Sequence, residues 1–566
     1  MAELISRIYS NFRGVDFRGE EINLVRSPGS KNVWKDYKET DSIKTRPSLE
    51  MKYPCEQSVC GIYEYNNSIL IHAGSTLLKR TGAEETVLFS DMLAKPSQAF
   101  VFDNVFYIKD GKNYLKYDGS TIEEVVGYVP TTTISRKPMG GGTKYEDVNM
   151  LSDYRKNSFL ADGGSFSFFL DVMNIDEDFV PKVWLDDELV AESEYAVDYK
   201  EGKITFRYNA PDAPPTDGQD NIEIEFKKSV VDQNGNKKYR NAILECTLLQ
   251  VFDNRVFFSG NPEYPNMVWH CSLNDPSYVS DLDYYNEGMD NAQVKGLVAG
   301  NNALWVFREP SHSNTTVFYH TPSIDDEYGK IYPSAHSSIT TGCVGKAINF
   351  NDDIVFFSER GMEGISGDVT TEQVVAHRSS LVDRRLTAEN NYEKMVLVEW
   401  EGYLLVCFDT SVYLADSRAM FTNENHMEYE WFYWDMEEPV LCATVIKGVL
   451  YIGSRFGVYT LTGKADLESW WTTPKDKFKN PHKRKTTNKK GCIVEAWGEV
   501  TVCAKTNEDD SFIPIGTYSN VVDAFTCRIK KKKWKDIQLA FYSTKRFRLE
   551  SVTLEAYIGA YLKNLN

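Results

Sequence analysis

Residues 98–119 read QAFVFDNVFYIKDGKNYLKYDG. Two apolar stretches, QAFVF and VFYIK, are separated by Asp103-Asn104 alone. Asp and Asn tolerate the positive φ angles that a two-residue hairpin requires, so this dipeptide predicts a tight antiparallel turn. A polar Asp-Gly-Lys-Asn loop then leads into a third strand, YLKY, closed by Asp118-Gly119. The unit is therefore strand, hairpin, strand, loop, strand.

The sixteen residues from Asn104 to Gly119 have counterparts elsewhere. Asn67–Gly82 is NSILIHAGSTLLKRTG, residues 353–368 are DIVFFSERGMEGISGD, and Gly448–Gly463 is GVLYIGSRFGVYTLTG. Looser versions begin at Asn254, Asn302 and Gly402. Starts at 67, 104, 254, 302, 353, 402 and 448 give spacings of 37, 150, 48, 51, 49 and 46. An antiparallel sheet recurring every ~40–50 residues is the pattern of a β-propeller, whose blades bury their faces against one another. Seven units predict about seven blades in an all-β protein. The competing reading is a row of unrelated hairpins in consecutive sandwiches; the shared period and strand order disfavour it. The G-H…W-D pairing and Kelch-like double glycines of familiar propeller classes are missing from the sequence.

The long spacing leaves roughly 105 residues after one blade is removed, the size of an independent domain. Within it, SFSFFLDVM, PKVWLDDELV, SEYAVDYKEGKITFRYN and NIEIEFKKSV alternate in the manner of strands. A β-sandwich inserted over residues 131–241 is expected, between propeller parts at 56–130 and 242–465. Its connections, MGGGTKYED and VVDQNGNKKYRN, read as flexible. Residues 466–566 read as a separate basic all-β domain, entered through a hydrophilic bridge, TTPKDKFKNPHKRKTTNKKG. Residues 1–55 read as an extended segment that contacts neighbours. Helix is scarce, and Ser379–Met395 is its best candidate.

Composition narrows the function classes. The chain has 566 residues and a net charge of −19, from 63 basic and 82 acidic side chains. From Trp470 onward nineteen Lys/Arg face ten Asp/Glu, so this tail is +9 and the remainder is −28. An acidic whole argues against a nucleic-acid coat. No run approaches the ~18 apolar residues of a membrane span, and the N-terminus lacks the apolar core of an export signal. Ten cysteines include no C-x-x-C pair and sit mostly in apolar runs, as small buried thiols do. There is no H-E-x-x-H, P-loop, G-x-S-x-G elbow or post-strand G-x-G-x-x-G. The expectation is a protein without catalytic residues, cofactor or metal.

The strongest charge feature is RIKKKKWK, that is Arg528, Lys530, Lys531, Lys532, Lys533, Trp534 and Lys535 around Ile529. A second basic run starts at Lys483, Arg484 and Lys485. Basic side chains around an indole suit a phosphate backbone. The same pattern suits a lysine-guarded sheet edge or a contact with an acidic neighbouring subunit, and the lack of base-edge readers favours these.

The N-terminal string NFRGVDFRGEEINLVRSPGSKNVWKDYKETDSIKTRPSLE resembles the opening of tailed-bacteriophage virion proteins of the tail nozzle (tail tubular protein B-like) or packaged-DNA stabilisation type. The matching positions are Gly14, Val15, Pro28, Asn32, Val33, Arg46 and Pro47, while Ser48 stands where that pattern usually has Gly. SGNPEYPNMVWHCS (Ser259–Ser272), ERGMEGISGD and the C-terminal KKWKDIQLAFYS…LESVTLEAYIGAYLK add to the likeness. The resemblance implies a virion structural protein, a homo-hexameric ring below the portal and its adaptor. Such a ring extends and closes the DNA channel until DNA ejection and supports tail fibres or other appendages. It also implies assembly in the host bacterial cytoplasm and double-stranded DNA passing without sequence-specific binding. A receptor-binding or fibre-adaptor tail protein, and a propeller glycoside hydrolase, stay open as alternatives.

Overall fold

A computed structural model describes residues 3–19, 24–38, 42–214, 218–233, 235, 237–312, 315–326, 329–367, 373–423 and 426–561. The end of the 353–368 repeat, at Asp368, and parts of the 1–55 segment and of the second sandwich connection, VVDQNGNKKYRN, lie outside these residues. The chain divides into two compact units, one of residues 1–87 with 337–566 and one of residues 88–336.

Seven four-stranded antiparallel sheets carry the repeat. Their second strands begin at Ser68, Val105, Arg255, Ala303, Asp353, Tyr403 and Val449, each within one residue of an expected start. The turn before each of these strands has two consecutive residues at positive φ. They are Asn66-Asn67, Asp103-Asn104, Asp253-Asn254, Asn301-Asn302, Asn351-Asp352, Glu401-Gly402 and Lys447-Gly448. These turns twist in the sense of the flanking strands, which is why so short a signal sets each register. The second strands are the most apolar, and those at Ser68–Ala73, Ala303–Arg308 and Tyr403–Phe408 are buried throughout.

The seventh sheet is completed from a distance. Its strands Cys442–Ile446, Val449–Gly453 and Gly457–Gly463 are joined at the edge by Ser48–Pro54. This strand, expected in the N-terminal segment, supplies the fourth member that the local sequence lacks.

In the 88–336 unit, the inserted domain pairs a six-stranded sheet with a three-stranded one. Phe159, Phe168, Val183, Ile204, Ile224 and Phe226 fill the core between them. The strand Ile222–Lys227 alternates buried Ile222, Ile224 and Phe226 with polar residues, as a half-buried strand must. The connections expected to be loose carry structure instead. Thr143–Lys144 pairs with Thr131–Arg136, and Lys238–Leu244 is a helix. The last turn of the helix, Ala242, Ile243 and Leu244, is buried in one core with Phe258 and Trp269.

In the other unit, the C-terminal sheet has ten strands, three of them N-terminal. Glu3–Tyr9 and Ile43–Thr45 pair with Phe547–Tyr561, and Val33–Lys35 pairs with Ile43–Thr45. The 1–55 segment, expected to reach a neighbour, thus makes these backbone bonds within its own chain. Nor is the C-terminal domain separate, because Trp34, Trp471 and Trp534 share one core with Trp400, Phe432 and Trp434 of the sixth propeller sheet. The Trp34 and Trp400 rings stack 5.3 Å apart.

Two further expectations are corrected here. Much of the basic bridge is strand, since Lys483–Thr506 runs unbroken for 24 residues with Lys485 and Thr487 turned inward. Within Ser379–Met395, only Asp383–Leu386 is α-helical, with a 3-10 turn at Tyr392–Lys394. Leu381, Val382 and Leu386 anchor that short turn in the core. The polar stretch after Leu386 offers no further apolar face, and Asn391 turns left-handed at φ 61.

Gly14 shows how closely the N-terminal segment is seated. The Val15 amide donates to the Trp431 carbonyl at 2.7 Å, and a Cβ at position 14 would lie 1.6 Å from that same oxygen. Gly14→Ala is therefore expected to lower stability by about 2–4 kcal/mol. Chemical denaturation should show an earlier midpoint, whereas an unchanged midpoint would mean that this crossing relaxes freely.

Candidate functional site

The two basic runs meet. Lys485 pairs across from Trp534, and Thr486 from Lys532, so the 483–490 run lies beside 528–535 in one sheet. Alternation then sorts the residues. Arg484, Arg528, Lys530, Lys532, Lys533 and Lys535 are exposed, as are Lys489 and Lys490, while Lys483 is half-buried. None of those eight exposed cations has an ion-pair partner among the described residues. Lys531 differs, because its Nζ holds the Asp509 carboxylate at 2.7 Å.

Two members of the expected surface are turned inside. Trp534 has no exposed area and packs edge-on to Phe478, so its indole offers no stacking platform. Lys485 donates to the carbonyls of Asn480, Lys483 and Lys535 at 2.7, 3.0 and 2.7 Å. Its ammonium lies 5.5 Å from the Trp534 ring, and burial pulls its pKa below the usual lysine range. An inward lysine tied to three carbonyls serves the sheet, not a ligand.

The N-terminal motif residues form a lock. Asn32, at φ 57, accepts through Oδ1 from Arg46 Nε at 3.0 Å and from the Asp435 amide at 2.9 Å. Its Nδ2 donates to the Glu468 carbonyl at 2.9 Å. Arg46 is wholly buried and also donates to the Pro47 carbonyl, the Asp435 carbonyl and the Glu437 carboxylate, at 2.8, 2.7 and 2.8 Å. Burial pulls its pKa down and Glu437 opposes the shift. Val15 is buried beside Phe357 and Val406. Pro28 is half-buried between Ser27 and Gly29, whose hydroxyl and carbonyl both engage the Thr472 side chain. These positions hold the chain to itself.

A polar pocket of about 420 Å³ in the same unit escaped the sequence reading. Arg360, Glu363, Val375, His377, Asp383 and His426 line it. The His377 ring is clamped between Asp383, 2.7 Å from Nε2, and Glu363, 3.2 Å from Nδ1. Burial opposes the imidazolium, but the two carboxylates outweigh burial and raise its pKa to about 10. Ser379 donates to Asp383 at 2.6 Å and fixes that clamp. Strand pairing sets Glu363 directly opposite His377, and the short helix that follows adds Asp383. One imidazolium thus bridges two carboxylates in the pocket wall.

Among the described residues no group of three or more His, Cys, Asp or Glu side chains could hold a metal ion. No helix there is long and apolar enough to cross a membrane. Seven of the ten cysteines are buried, and burial pushes the thiols of Cys246, Cys271 and Cys407 up to about 12.

The chain is an all-β protein, a β-propeller of about seven blades with an inserted sandwich and a C-terminal β domain. No family model and no curated protein matches it. Among solved structures it is similar to BamB from Moraxella catarrhalis, with 13% identity and a TM-score of 0.34 over 74% of this chain and 98% of that one. It is similar to a streptogramin B lyase at 8% identity and a TM-score of 0.33, over 73% of this chain and 97% of that one. An exo-β-1,3-galactanase from Phanerochaete chrysosporium follows at 10% identity and a TM-score of 0.23, over 58% of this chain and 98% of that one. Scores this low carry no argument about activity.

The His377 clamp predicts a pH dependence. A histidine whose pKa rises on folding stabilises the protein fully below the unfolded value of about 6.5. That contribution fades as pH climbs toward about 10. Wild type minus His377→Gln should differ by about 1–3 kcal/mol at pH 6 and converge by pH 10, in urea unfolding. A difference that stays constant over this range would remove the imidazolium assignment.

Proposed function

We propose that this protein is a structural component of a bacteriophage tail, a ring-forming nozzle that extends and closes the DNA channel below the portal and adaptor and supports tail appendages. The observation that carries the reading is the set of eight exposed cations in and beside the strands of the C-terminal sheet, without ion-pair partners among the described residues, in a chain whose remainder is −28. Such charges on a sheet backed by a tryptophan-rich core suit an acidic neighbour, and identical copies joined head to tail close into a ring. An acidic body disfavours adhesion of DNA that must pass. The resemblance at Gly14, Asn32 and Arg46 supports the same reading, although the contacts these residues make lie within the chain. In this reading the protein acts by shape and charge and performs no catalysis.

Mass photometry of the purified protein, alone and with its adaptor, should show particles at a fixed multiple of 64.7 kDa. Replacing Lys530, Lys532 and Lys533 by Ser should shift at least half of that population to the monomer, and moderate salt should do the same. Monomer alone, even with the adaptor present, would refute the ring. Intact rings that have lost DNA retention would reassign the cations to DNA.

A further inference from the structure

A second cationic feature lies elsewhere on the C-terminal sheet. Lys44 stands directly opposite Arg548, and Arg548 opposite Trp497, on three neighbouring strands. Residues opposed across a sheet share a face, so two cations and an indole form one row. The Arg548 guanidinium lies 3.8 Å over the Trp497 ring. Arg546 joins them, and with Thr45, Gly498 and Phe547 these residues line a cavity of about 270 Å³. The floor is narrow, since Gly498 sits at φ 95 and a Cβ there would lie 2.4 Å from the Arg546 carbonyl.

Two features of this cavity are costly to the protein alone. Like charges directly opposite one another on paired strands repel. Asp36 at 2.7 Å from Lys44 and Glu550 at 3.4 Å from Arg548 offset part of that repulsion, from outside the cavity lining. Arg546 donates to the Gly463 carbonyl at 3.2 Å but meets no carboxylate among the described residues. Moreover, the Nε of Arg548 is buried and donates to nothing there. Buried donors in folded proteins are almost always satisfied, and an orphan calls for a missing acceptor.

We propose that this cavity binds a phosphate-type oxyanion, carried by a small phosphate ester or by a phosphodiester backbone. Of the three converging cations, Lys44 and Arg548 each have a carboxylate outside the lining, and Arg546 has none among the described residues. Phosphate brings up to two charges, and its several acceptor oxygens suit the planar fork of arginine. The anion would bridge the guanidinium of Arg548 and the ammonium of Lys44, turning the repelling pair into a binding pair. The volume admits a phosphate group with a modest substituent; a duplex would present one backbone phosphate to it.

Thermal unfolding of the full chain in inorganic phosphate, against chloride of equal ionic strength, is the primary test. The melting temperature should rise saturably in wild type, and the apparent affinity should fall at least tenfold in Arg548→Gln and in Lys44→Gln. If either fails to fold, phosphorus-31 line broadening with wild-type protein, displaced by a nucleoside monophosphate, reports the same site. A 20-base-pair duplex separates the sources. Duplex binding that phosphate competes and Arg548→Gln weakens tenfold points to the backbone, whereas ester binding without duplex binding points to a small ligand. No saturable gain in wild type, or a gain undiminished in both variants, would overturn the proposal.

Discussion

The Arg46 guanidinium is the contact on which the larger unit depends. It is fully buried, yet it reaches oxygens of Asn32, Pro47, Asp435 and Glu437 at once. Residue 46 and residue 435 are 389 positions apart. Directly before Arg46 the chain runs in the Ile43–Thr45 strand of the C-terminal sheet, and directly after Pro47 it enters the Ser48–Pro54 strand of the seventh propeller sheet. One side chain therefore sets the point at which the chain leaves one sheet for another. A lysine could supply the charge but not the planar fork that serves several acceptors in fixed directions.

Around that anchor, charge is sorted by strand alternation. The basic tail keeps Lys485 and Trp534 inside and displays Arg484, Lys530, Lys532 and their neighbours outside. Strands that are already paired spare a partner the cost of ordering the backbone beneath these side chains. The row of Lys44, Arg548 and Trp497 belongs to the same sheet but has another character. It is concave, partly buried and short of one acceptor, so it suits a small anion where the open face suits an acidic surface.

Much of the architecture was legible in the residues. Asp103-Asn104 and its six counterparts announced their hairpins, since the preference for positive φ is a property of the turn residues themselves. The alternation in Ile222–Lys227 likewise announced a sandwich strand. The failures share a cause. The Lys-rich 483–490 run reads as linker because its inward positions are a lysine and a threonine. Those positions become interior only when Trp534 and three carbonyls close over Lys485. Ser379–Met395 reads as helix from composition, but only Asp383–Leu386 is α-helical and Asn391 turns left-handed before Met395 re-enters the core. The His377 clamp went unread, because Glu363 and His377 meet only through the register of two paired strands, which their spacing alone does not announce.

By itself the sequence determined the repeating sheets, their turns and the segregation of a basic tail from an acidic body. Each of these follows from the residues of a short stretch, through backbone preference, alternation or a sum of charges. The tertiary structure decided which strands complete which sheets, as when Ser48–Pro54 closes the seventh and Glu3–Tyr9 extends the C-terminal one. It also decided which lysines are solvent-facing, and it set Lys44 beside Arg548 across some five hundred positions of chain. Such pairings are chosen by burial and by the need to satisfy backbone donors and acceptors, and neither is encoded in any single stretch.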